Sequence, residues 1–101
     1  MGILKWLLTG NNVKNAMIDK AIEHLGQEGS LMGTAYREIS YDDVVAYVAS
    51  NDCRITSSTE NPYHRYNGWM EFERVLSGQR YAVTLSRTHE GGGSVLTAKK
   101  V

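Results

Sequence analysis

This chain of 101 residues has one cysteine, one proline and no net charge. Cys53 has no second thiol to pair with, so no intrachain disulfide forms, and a zinc centre built on several cysteines is excluded. A lone thiol suits a reducing compartment, which predicts a cytoplasmic protein. No apolar run approaches the roughly 20 residues that a membrane-spanning helix needs. Eleven basic residues balance eleven acidic ones, with −2 on residues 1–50 and +2 on 51–101. Proteins that hold nucleic acid draw most of their affinity from neutralising phosphates and usually carry a basic excess, so the neutral balance makes nucleic acid the less favoured partner.

What is present is the composition of a folded domain, 42% hydrophobic and 22% charged. The length suits a single core. The first residues are the most apolar, with Ile3, Leu4, Trp6, Leu7 and Leu8 around a single Lys5. The stretch is too short for a secretory signal with its cleavage site. Gly2 is placed for myristoylation, but that motif asks for Ser or Thr where this chain has Trp6. Residues 1–12 are therefore expected to be an apolar arm that packs on the domain, on a partner or on a membrane surface.

From residue 13 the rhythm is helical. Val13, Ala16, Met17, Ala21, Ile22 and Leu25 recur at spacings of three and four, which predicts a helix over 13–26. Asn11 and Asn12 read as its cap, and Gly26 and Gly29 as its end. The glycine-spaced stretch that follows has room for a short strand around Leu31–Ile39. Ser40, followed three residues later by Asp43, marks a second helix start, and the two aspartates in the first turn favour the positive helix end. Its expected buried stripe is Tyr41, Val44, Val45, Val48 and Ala49, and Asn51 and Asp52 close it.

Beyond residue 52 the period becomes two. Strands are expected at 53–59, 69–76, around Tyr81–Leu85 and at 94–101, with Ser77-Gly78 as a tight hairpin turn. Met70 and Phe72 alternate with Glu71 and Glu73, and Tyr81, Val83 and Leu85 with Ala82, Thr84 and Ser86. The expected fold is α+β, with two N-terminal helices on one face of a three- to four-stranded antiparallel sheet, residues 13–101 forming a single domain. An exposed edge at 53–59 or 94–101 would let two copies pair as a homodimer by strand addition.

The densest polar and aromatic cluster is the run that holds Tyr63, His64, Arg65, Tyr66 and Trp69. Tyrosine, arginine and tryptophan supply large contact area and hydrogen bonds at low entropic cost, so these five residues are the expected binding surface. His24, His64 and His89 stand apart from one another, and no metal or cofactor is expected. Gly91-Gly92-Gly93 precedes a strand, not a helix, and lacks the lysine of a phosphate loop. Together these features favour a non-enzymatic module that binds another protein, in the manner of small regulators and inhibitors of phages and mobile elements.

Two alternatives follow from the same residues. Metal-free RNA cleavage needs a base, an acid and cations for the phosphorane charge. His64 or His89 with Arg74 or Arg87 could fill those roles, if Arg74, Arg80, Arg87, Tyr81 and Lys99 gather on one sheet face. The order of two helices and then a sheet over 13–101 resembles that of barnase and the RelE-type toxin ribonucleases. The resemblance is one of element order alone, and no catalytic residue is carried over from it. The other alternative is a regulator that lies on a membrane surface through residues 3–8.

Overall fold

The computed structural model describes residues 2–29, 32–58, 68–88 and 93–101, with side chains from residue 13 onward. It contains two helices, α1 (Gly2–Glu28) and α2 (Tyr41–Ser50). Five strands complete it: β1 (Thr34–Tyr36), β2 (Cys53–Ser58), β3 (Trp69–Leu76), β4 (Gln79–Arg87) and β5 (Ser94–Lys100). The fold is α+β, and the antiparallel sheet has five strands, not three or four, in the order β1-β5-β4-β3-β2. The added strand is β1, whose three residues pair with Ser94, Val95 and Leu96. β5 is therefore not the edge that the sequence suggested, whereas β2 is one.

Helix α1 begins at Gly2 and runs through Asn11 and Asn12, which do not cap it. Asparagine inside a helix costs only about 0.7 kcal/mol relative to alanine, too little to stop one that has apolar residues at helical spacing on both sides. The expected arm is thus helical backbone from residue 2, and the docking expected of residues 3–8 lies outside the described side chains. The far end runs past Gly26 to Glu28. There Gly29 takes the left-handed conformation (φ 68°) and its N–H donates to the Leu25 carbonyl at 3.1 Å.

The buried stripe of α1 is Ile18, Ala21, Ile22 and Leu25. Ala21, Ile22 and Leu25 are as expected, but toward the N-terminus the stripe departs from the expected one, since Val13 is half-exposed and Ile18 is fully buried. On α2 the buried residues are Val44, Tyr47 and Val48, while Val45 and Ala49 face outward. These side chains form one core with Phe72, Leu76, Tyr81, Val83, Leu85, Leu96 and Ala98, which are alternate positions of β3, β4 and β5. The ring of Tyr47 meets Phe72 at a tilt of 54°, with centroids 6.5 Å apart. The intervening strand residues include none that is buried. The period of two thus separates a core face from an uncovered face, one on which none of the described side chains is buried.

Local signals hold at the connections. Ser77 and Gly78 both have positive φ (51° and 80°), which a two-residue hairpin turn matched to strand twist requires. The Ser94 hydroxyl, wholly buried, donates to the Ile39 carbonyl at 2.9 Å and ties the start of β5 to the segment before α2. Ser40 caps α2 in a complete capping box: the Asp43 N–H donates to its hydroxyl at 3.0 Å, and its own N–H donates to Asp43 Oδ2 at 2.9 Å. Lys14 of α1 adds an ammonium 3.2 Å from the same oxygen and donates to the Glu38 carbonyl at 2.7 Å.

The Ser40 N–H, with Lys14 behind it, holds the Asp43 carboxyl below its ordinary value of 3.8 despite partial burial. A depressed carboxylate contributes stability above its unfolded pKa and loses it as pH falls through the lower folded value. Asp43→Asn is expected to cost about 0.5–1 kcal/mol at neutral pH. Melting curves of both proteins between about pH 7 and pH 2 should show the gap closing below about pH 4.

Candidate functional site

Tyr47 sits among apolar side chains with 1% of its surface exposed, so its hydroxyl must find partners inside the protein. It donates to Asp19 Oδ1 and accepts from Arg74 Nε at 2.9 Å. Arg74 Nη2 lies 3.9 Å from the same Asp19 oxygen, and Nη1 donates to the Asp52 carbonyl at 3.4 Å. One guanidinium thereby joins α1, α2, β3 and the turn before β2. Burial, reinforced by the Asp19 charge, pushes the Tyr47 phenol far above its ordinary range, so it stays protonated. Burial also pushes the half-buried Cys53 thiol up, against a smaller downward pull from Arg74 opposite it on β3. A thiol held in its neutral form is a poor nucleophile.

At the other end of the sheet, the Arg87 guanidinium lies 4.0 Å from the ring centroid of Tyr41, the first residue of α2. Its Nη2 is 3.7 Å from the exposed Asp42 carboxylate. Gly68 closes this corner: the Arg87 N–H donates to its carbonyl at 3.4 Å, and a Cβ there would touch the Arg87 Nε and the Tyr41 hydroxyl. Trp69 follows as the first residue of β3. It is 36% exposed and opposite Ser86. Of the expected binding residues, Trp69 is thus placed at the end of the sheet where the chain re-enters it. Tyr63, His64, Arg65 and Tyr66 lie outside the described residues, as do His89, Gly91 and Gly92.

The basic residues expected to share one sheet face do not gather. Arg74, Tyr81 and Arg87 alternate on the core side, and Arg80 and Lys99 on the other. Arg74 pairs with Tyr81, six residues from Arg87, so the two arginines are about 20 Å apart along the strands. Each is already engaged by an aspartate and a tyrosine. Among the described residues, no group of His, Cys, Asp and Glu is arranged to hold a metal ion.

The uncovered face carries a concavity of about 320 Å³. Its floor is low because Ala82, Thr84 and Thr97 are small, and Glu71, Glu73 and Lys99 rise around it. The Thr84 and Thr97 hydroxyls bond each other across β4 and β5. Comparison with protein-family models, with curated proteins and with solved structures finds no match. Among the described residues, no helix is long and apolar enough to cross a membrane.

The sequence did not reveal the Asp19–Tyr47–Arg74 junction. Asp19 reads as a wet-side residue as long as the stripe is drawn through Val13 and Ala16. Only the departure that buries Ile18 turns it toward Tyr47. Tyr47→Phe removes the shared hydroxyl and leaves a partly buried carboxylate and guanidinium with one partner fewer. It is expected to destabilise by about 1–3 kcal/mol in urea unfolding. Tyr41→Phe, whose ring still stacks on Arg87, should leave the midpoint close to that of the parent chain.

Proposed function

We propose that this chain is a non-enzymatic binding module that docks on another protein, with Trp69 and the preceding Tyr63, His64, Arg65 and Tyr66 as its contact residues. The observation that supports this reading is Trp69 itself, a large aromatic side chain 36% exposed at the start of β3. Large aromatic side chains beside arginine are the usual energetic centre of protein contacts. The backbone that leads into Trp69 is fixed from the other side of the sheet, where Gly68 accepts from the Arg87 N–H beside the Tyr41–Arg87 stack. By contrast, the ionisable groups deeper in the fold, Asp19, Tyr47 and Arg74, are committed to one another and serve the packing of the helices and strands. The role this implies is that of a small regulator or inhibitor acting by occupancy.

Capture from the native host with the parent chain and with a Tyr66→Ala/Trp69→Ala double variant, read by mass spectrometry, identifies the partner as the protein that the variant loses. Titration of that partner should then show at least a tenfold weaker Kd for the variant, with a melting temperature within a few degrees of the parent. A large fall in melting temperature would instead assign these aromatics to the fold. Equal capture by both proteins would end the proposal.

A further inference from the structure

The strand pairings arrange the uncovered face in rows across β3, β4 and β5. The first row is Trp69–Ser86–Val95, the second Glu71–Thr84–Thr97 and the third Glu73–Ala82–Lys99. Val75 pairs with Arg80, whose carbonyl accepts from the Val101 N–H at 3.0 Å, and this makes a fourth. β4 is the middle strand of five. The flanking strands differ in chemistry row by row, and the difference is complementary. Apolar Trp69 has apolar Val95 at the other end of its row, and exposed Val75 has exposed Val101. Glu71 has a threonine, and Glu73 has a lysine.

We propose that this face is an isologous interface with a second copy of the chain, with the two-fold axis running along β4. Such an axis lays β3 of each copy over β5 of the other with the rows in step. Trp69 then meets the second copy's Val95, Glu71 its Thr97, Glu73 its Lys99 and Val75 its Val101. The residues on the axis, Ala82, Thr84 and Ser86, are small, so two sheets can approach to the roughly 10 Å of face-to-face packing. The concavity above Thr84 and Thr97 receives the second copy's Glu71, whose carboxylate accepts from a threonine hydroxyl. Glu73 already has an ion pair at 3.9 Å with the exposed Arg54 of β2, and Lys99 of the second copy joins that pair from above. At the β5 rim, Gly33 lies so close to Val95 that a Cβ there would meet its side chain at 2.5 Å, which keeps the rim low.

The footprint is roughly 24 Å by 20 Å from strand spacing and rise. That lies at the small end of specific interfaces, so the dimer is a weak one that depends on concentration. Arg80 sits on the axis at the sheet's end and faces its own copy, the one like-charge pair in the arrangement. Because the axis follows the strands, both copies point the same way, and the two Gly68 entries into β3 lie at one end of the dimer.

The test is sedimentation velocity of the full chain from about 5 to 500 µM. The parent chain should pass from monomer to dimer. Glu73→Lys and Lys99→Glu should each weaken dimerisation at least tenfold, because each sets like charges opposite one another twice. An equimolar mixture of the two single variants should dimerise as the parent does, since every charge then meets its opposite, and so should the double variant E73K/K99E. Arg80→Gln should strengthen the dimer. Lys99 is exposed and the Glu73 side chain keeps 24% of its surface, and matching melting temperatures will show the variants folded. A chain that stays monomeric to 500 µM overturns the proposal, as does a dimer indifferent to both charge reversals or a mixture no tighter than its components.

Discussion

The structure depends on one constraint, that alternate residues of β3, β4 and β5 are buried and their neighbours are not. Phe72, Val83, Leu85, Leu96 and Ala98 enter the core with Ile18, Ile22 and Val44. A strand's side chains alternate strictly, so sinking these five decides what the other face presents. A slip of one residue in β4 would put Ala82, Thr84 and Ser86 into the core and Val83 and Leu85 into water. The loss of apolar burial makes that register untenable. The uncovered face, with its small residues along the middle strand and its unlike flanks, is the consequence of where the large apolar residues went.

The two ends of the sheet solve different problems. At the Arg74 end a buried phenol is made tolerable by one carboxylate and one guanidinium, and the same three groups hold α1, α2 and β3 in place. Removing any one leaves the others desolvated without full compensation, which makes the junction a point of specificity as much as of stability. At the Arg87 end the guanidinium lies over Tyr41 nearer the surface and beside the exposed Asp42. Trp69 is the described residue of the proposed contact surface, and it enters β3 at that end.

Much of the fold was legible in the residues. The Ser40–Asp43 cap, the Ser77-Gly78 turn and the alternation of Tyr81, Val83 and Leu85 all appear in the structure. β3 spans the expected 69–76. The departures have physical reasons. Two asparagines were read as a cap because they favour caps, yet their cost inside a helix is small and α1 passes through them. Ala21, Ile22 and Leu25 of the expected α1 stripe are buried, whereas its first turn is not: Val13 and Ala16 keep the helical spacing but lie in solvent, and Ile18 is buried instead. Period alone does not say which of two overlapping stripes meets a core. β1 was weakly patterned because three residues are too few to show an alternation. Of the candidate contact residues, Trp69 is the one that the described structure places.

Taken alone, the sequence determined what neighbouring residues decide among themselves: where a helix can be capped, where a chain can turn, and which side chains share a face. Those follow from geometry over two to four residues. Tertiary structure alone decided the strand order, the addition of β1 beside β5, and the meeting of Asp19, Tyr47 and Arg74. The partners in that junction are 27 and 28 residues apart in the chain. No local rule relates residues at that distance. They are brought together by the burial of apolar surface, which is indifferent to sequence separation, and the polar groups carried along must then satisfy one another.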